Sequence, residues 1–462
     1  MKAVRIAPGI RIWGLVLALS VLPIKQAFAA WAVPFDGGCW RAATSWPVIM
    51  DKVLYIGSFD GAAYAFDVQT GKTKWRFQTG KGLTSGPEII TAPAGTLQDM
   101  IRAATARKSK GKREIVATPV VQDSMVYVGS RDHQFYAFDA ATGQLKWSFS
   151  VASDIYNEAI FKDGQVYFSS GNFIYSLDTK NGQQRWLFET LKGMHPAAKS
   201  RPPSTPVLNA GVVYATNWPY HQGDAPLKSY LYAIGARSGK EKWVFSVDGN
   251  DVSKPAISGG LVFFSLSADV PLLSGNPGLA QLYAVDSRSG TMKWKFDAEE
   301  SWHHSRAVVG ETLVYFSTDK HLYAIDQRSG ELAWSFEGEQ ISKNMHLDKL
   351  LHVVVKNKLY GLDPVSGEQT WSRKLGRNLW LRSVVDDVIY ISSGTNPFYL
   401  IAVDALTGKK RWKFKTGGNA VCSGPVKFDG QLFFSTRVNM TSGYEPVHGR
   451  LYSIDAKTGK VK

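Results

Sequence analysis

One register recurs along this chain and leaves few folds open: an aspartate, two residues, a threonine or serine, a glycine, three residues, and a tryptophan eight positions after the aspartate. It appears as Tyr64-Ala-Phe-Asp67 with Thr70-Gly71 and Trp75, and as Tyr136-Ala-Phe-Asp139 with Thr142-Gly143 and Trp147. The same spacing gives Asp178 with Trp186, Asp286 with Trp294, Asp326 with Trp334, Asp363 with Trp371 and Asp404 with Trp412. In a further copy Gly235 takes the aspartate slot ahead of Trp243. A ninth copy, Leu451-Tyr-Ser-Ile-Asp455 with Thr458-Gly459, ends at Lys462 before its tryptophan position is reached.

Each part of the unit has a physical reading. The tyrosine segment alternates apolar residues as a half-buried strand does. The Asp and Thr side chains bond nearby backbone N–H groups in a tight turn, and the glycine supplies a left-handed residue. The tryptophan on the next strand has a large apolar body to bury and one N–H to satisfy, which suits a position between neighbouring units. Two further short strands precede each tyrosine strand, as in Ser204-Thr-Pro206-Val-Leu followed by Val212-Val-Tyr214-Ala-Thr. Four strands per roughly 40 residues is the propeller period. The expectation is an all-β propeller of four-stranded blades, nine by count. The missing outer strand of the last blade is supplied by Trp31-Ala-Val-Pro34-Phe35, which closes the ring; a proline is tolerated on such an edge. The eight tryptophans from Trp75 to Trp412 read as packing residues. A basic, partly helical insertion is expected at about 81–113.

The N-terminus has the order of a secretory leader, with Lys2 and Arg5, an apolar run from Ile12 to Ile24, and Ala27-Phe28-Ala29. Cleavage near Ala29 is expected, leaving one domain over 30–462 in the periplasm or outside the cell. The apolar run is shorter than the roughly 20 residues of a spanning helix. Lys2, Arg5, Arg11 and Lys25 leave with the leader, taking the formal charge from +15 to +11. That excess favours acidic envelope surfaces or envelope proteins as partners, with no nucleic acid and no membrane span, and a monomer is expected. The two cysteines, Cys39 and Cys422, lie near opposite ends of the chain. Ring closure makes them neighbours, and export makes a disulfide between them the expectation.

The units, typified by Tyr136-Ala-Phe-Asp-Ala-Ala-Thr-Gly-Gln-Leu-Lys-Trp-Ser-Phe149, resemble the repeats of pyrroloquinoline-quinone (PQQ)-type propellers over essentially all of 40–460. Eight blades are usual in that family, so eight is the fallback to nine. The resemblance embraces quinone-dependent alcohol dehydrogenases and the non-enzymatic outer-membrane assembly propellers of the BamB type. The dehydrogenases hold quinone against a disulfide of adjacent cysteines, with calcium ligands, and this chain has no adjacent pair. The resemblance therefore implies a non-catalytic interaction propeller more than an oxidoreductase, with no cofactor expected and PQQ with calcium only under the enzyme alternative. Aligning the innermost strands on Trp46-Pro47, Thr118-Pro119, Thr205-Pro206 and Lys254-Pro255 places Trp46, Glu158, Lys254, Ser305, Arg306, His346, Trp380 and Arg382 near one channel mouth. Cationic and aromatic groups there suit a planar anion. Adjacent histidines such as His303 and His304 point to opposite faces of a strand, and no metal site is expected.

Overall fold

The computed structural model describes residues 30–35, 45–80, 114–115, 117–190, 203–217, 228–249, 251–268, 278–301, 304–395, 397–417, 419–438 and 449–461. Among them there is no helix, and the strands form nine antiparallel sheets arranged as the blades of a propeller. Blade 1 runs outward from the axis as Val48–Met50, Val53–Gly57, Ala62–Asp67 and Thr73–Gln78. Blades 2 to 8 repeat this meander, so the nine-unit count stands and the eight-blade fallback does not. The leader (1–29), Cys39 and the 81–113 insertion lie outside the described residues.

Blade 9 is the composite that ring closure requires. Its strand Gly449–Asp455 pairs on one side with Gln431–Val438 and on the other with Trp31–Phe35, in the register Trp31 opposite Ser453 and Phe35 opposite Gly449. Trp31 stands where the ninth repeat would have placed its tryptophan.

All nine tryptophans then act alike. Trp31 Nε1 donates to the Val68 carbonyl in blade 1 at 2.9 Å, Trp75 to Ala140 in blade 2 at 2.9 Å, and so on to Trp412 and Ala456 at 2.9 Å. In every case the acceptor directly follows the aspartate slot of the next blade. The indole also lies against that blade's turn glycine. A Cβ on Gly330 would sit 2.6 Å from Trp294 Cγ, and one on Gly71 2.6 Å from Trp31 Cδ2. Glycine is required here twice over, for a φ of +77° at Gly330 and for the approach of an indole that a methyl group would displace.

The turns behave as their composition dictates. Asp326 Oδ1 accepts from the N–H groups of Arg328 and Ser329 at 2.9 and 2.8 Å, and Asp67 adds the Thr70 hydroxyl at 2.9 Å. Gly235 has no side chain to do this, and its turn rests on backbone bonds to Gly239 and Lys240, both 2.8 Å. The hairpins between first and second strands are two-residue turns with both residues left-handed at Asp51-Lys52, Asp123-Ser124, Asp163-Gly164, Ala210-Gly211, Gly259-Gly260, Asp386-Asp387 and Asp429-Gly430. These hairpins and the Asp turns share one face. The connections 36–44, 81–113, 191–202, 218–227, 269–277 and 439–448 all begin and end at strand termini on the other.

Three measurements check this account. Gly330→Ala and Gly164→Ala both force alanine into left-handed backbone, but nothing lies within 4 Å of a Cβ on Gly164. Thermal unfolding should show a loss of about 1–2 kcal/mol for Gly164→Ala, and a clearly larger one for Gly330→Ala, which also unseats Trp294. Hydrogen bonds from Arg411 to Asp404, and from the Ser289 and Arg288 N–H groups to Asp286, hold those carboxyls down to about 2. An unfolded aspartate titrates near 3.9, so this stabilisation is complete above about pH 4 and is lost as pH falls toward 2; Tm should fall across that window, less steeply in Asp404→Asn. Cys422 is buried, and among the described residues no cysteine is free. Intact mass of exported, alkylated protein should be lighter than the reduced form by two hydrogens and carry no alkyl group on Cys39 or Cys422.

Candidate functional site

The innermost strands line the axis, and a recurrent serine fixes how the chain enters them. The hydroxyls of Ser45, Ser204, Ser253, Ser305 and Ser423 each accept the backbone N–H of the residue twelve positions on, at 2.8 to 3.1 Å. The serine is thereby turned into the blade, and the residue after it is set at the channel wall. In blades 5 and 6 those residues are Lys254 and Arg306. Ser305 itself is 0% exposed, with its hydroxyl also donating to the Arg306 carbonyl at 2.9 Å. It is a fixture of the blade and not a ligand group, which corrects its inclusion among the mouth residues.

Lys254, Arg306 and His346 line a single cavity of about 280 Å³, walled by the inner strands of blades 5, 6 and 7. Its apolar floor includes Pro255, Ala307 and Met345, the last two 5% and 6% exposed. Burial lowers the Lys254 pKa, and the Arg306 guanidinium lowers it further, against the opposite pull of the Glu158 carboxylate. His346 is lowered by burial and by Arg306, with Asp348 opposing. Among the described residues neither Lys254 nor Arg306 makes an ion pair within 4 Å. The wall thus carries two cations and an imidazole held toward its neutral form.

The remaining mouth residues do not join this cavity. Glu158 is exposed and reaches it only through its charge. Trp46 is 39% exposed and covers Gly424, where a Cβ would lie 2.7 Å from its ring. Trp380, 51% exposed, packs on Gly394 and lies 5.8 Å from the Arg382 guanidinium. Arg382 is a strut between blades: Nε donates to Ser392 Oγ at 2.7 Å, Nη2 to the Val421 carbonyl at 2.7 Å and Nη1 to the Cys422 carbonyl at 3.3 Å. Three of its five N–H donors are taken within the protein, so it serves as a strut at this seam, against the expectation that it faces a ligand.

A second polar cluster escaped the sequence reading. On the face with the long connections, Asp154 receives Arg131 Nε at 3.1 Å, His133 Nε2 at 3.0 Å and the Tyr156 hydroxyl at 2.6 Å. Burial would raise the Asp154 pKa, but these bonds bring it to about 2. The four side chains come from two separate segments, and no local motif marked them.

As to cofactors, no three His, Cys, Asp or Glu side chains converge among the described residues. The donor set of the cavity, an ammonium, a guanidinium and an imidazole, fits anionic oxygens and not a calcium ion, which takes six to eight oxygen ligands.

Comparison with known proteins places this geometry. A family model described as outer membrane protein assembly factor BamB matches residues 99–218. The chain is 24% identical over 299 residues to the tetrathionate hydrolase of Acidithiobacillus ferrooxidans, covering 56% of this chain and 57% of that one. It is 21% identical to the quinoprotein alcohol dehydrogenase PedH of Pseudomonas putida, over 93% of this chain and 84% of that protein. The crystal structure of BamB from Moraxella catarrhalis superposes with a TM-score of 0.53 at 13% identity, covering 92% of this chain and 99% of that one. The chain spans about half the length of several curated relatives it matches, among them the hydrolase. Repeat, blade and inter-blade docking agree with these matches: in repeat and fold the chain is similar to the PQQ-repeat β-propellers.

Proposed function

We propose that this chain is a non-catalytic propeller of the bacterial envelope that holds protein partners, in the manner of an assembly scaffold. The observation that carries the reading is the division of labour between its faces. One face is made of nine tight Asp and Gly turns, each closed by backbone hydrogen bonds, together with the short hairpins. The other carries the strand termini that flank the long connections, the partly exposed Trp46 and Trp380, and the cationic wall. A ring presenting aromatic side chains and a cationic wall on one side is built for recognition. Support also comes from the BamB family model and from the coverage of nearly the whole BamB structure. The basic composition suits acidic partner surfaces.

The test is in-cell crosslinking with a photoreactive side chain at Trp46 or Trp380, against one at Val365 on the tight-turn face, which is 74% exposed. Envelope proteins crosslinked from the first two and not the third are expected. Equal yields from both faces would remove the basis of the reading.

A second reading, an oxidoreductase or binder of a planar anionic cofactor, draws support from the cationic wall and from the dehydrogenase match along 93% of the chain. The described residues fit the anionic oxygens of a quinone but not its calcium. Titration with PQQ, with and without calcium, followed by a dye-linked alcohol oxidation assay, separates the two: calcium-dependent binding with turnover supports the enzyme, and absence of both supports the scaffold.

A further inference from the structure

We propose that the cavity between blades 5, 6 and 7 is a binding site for a compact dianion, held between Lys254 and Arg306 with His346 as a third polar contact. The assignment stands apart from the scaffold reading, and a compact dianion there competes with a quinone at the same wall.

Three observations converge on it. First, the two cations come from adjacent blades, each directly following an entry serine, Ser253 and Ser305, so the repeat sets both backbones at the channel wall, with Lys254 half-buried and Arg306 exposed. Elsewhere the described arginines near carboxylates are paired, as Arg76 is with Asp60 at 2.9 Å and Arg411 with Asp404 at 2.7 Å. Lys254 and Arg306 share a cavity that contains no carboxylate among its lining residues. Second, the floor of Pro255, Ala307 and Met345 is apolar and buried, which lowers the local dielectric and strengthens attraction for an anion. Third, like charges facing one another over such a floor are unfavourable when alone; the downward pull of Arg306 on Lys254 is that repulsion. A dianion converts it to attraction, with a guanidinium able to bind two oxygens at once and an ammonium to serve as a point charge.

The size of the ligand follows from the space. About 280 Å³ is enough for a tetrahedral oxyanion or a short dicarboxylate.

Calorimetric titration of the full chain at pH 7.5 with sodium sulfate, and separately with sodium malonate, at constant ionic strength set with sodium chloride, tests the site. One saturable event per chain is expected, weakened about tenfold or more in Lys254→Met and in Arg306→Met, since each charged hydrogen bond contributes about 1.5–3 kcal/mol. Lys415→Met, on the exposed outer strand of blade 8, should bind as the parent does. Preference for sulfate identifies an inorganic oxyanion, and preference for malonate a dicarboxylate. In sulfate-free buffer the two site variants should melt at or above the parent temperature, because repulsion is relieved. No saturable heat with either anion, an equal loss in Lys415→Met, or lower melting of both site variants without anion would overturn the assignment.

Discussion

The structure depends on one contact made nine times: an indole that donates its N–H to the backbone of the next blade while lying flat on that blade's turn glycine. Neither half suffices alone. The hydrogen bond fixes direction but contributes only about 1 kcal/mol net. Burial of the ring is larger but does not specify orientation. Together they set the spacing and tilt of one blade against its neighbour. Around each contact a core cluster forms from the residues of two blades, as with Tyr55, Ala65 and Trp75 of blade 1 and Val126, Tyr136 and Phe138 of blade 2. The hydrophobic core is therefore a circle of seams, with no single centre.

That geometry explains what was legible in the sequence. The tryptophan register revealed the blade count because it is a backbone-determined distance, and the fold permits no slippage. The turn glycine was legible as a left-handed residue, but its second constraint, the neighbour's indole, belongs to a contact between units and has no local signature. Trp31 was recognisable because the ninth copy lacked its partner, and the gap had the shape of the answer.

The candidate site was legible in part. Lys254, Arg306 and His346 fell together because the propeller places equivalent residues of successive inner strands side by side. Ser305 and Arg382 misled, each for a physical reason. A serine at the head of an inner strand looks like a polar lining residue, but its partner lies twelve residues away across a hairpin, and only the five-fold recurrence of that spacing betrays it. An arginine next to an aromatic suggests a ligand clamp, yet this one finds three backbone and hydroxyl acceptors at the blade 8 to blade 9 seam. Burial there lowers the arginine pKa, so it is costly to place and worth its place only as a strut. The Arg131, His133, Asp154 and Tyr156 cluster had no spacing to find, since its members meet only once the blades are docked.

Because the strand Trp31–Phe35 completes the sheet that Gly449–Asp455 begins, the last blade is built from residues more than 400 positions apart. An open array of repeats has two terminal units, each with one neighbour, and loses structure from those ends first. Here every unit has two neighbours and none is terminal. The molecule is a circuit, joined at one place by strand pairing between Trp31–Phe35 and Gly449–Asp455 and not by a connection within the chain. Five residue pairs thus decide whether nine blades behave as a chain with ends or as a ring without them.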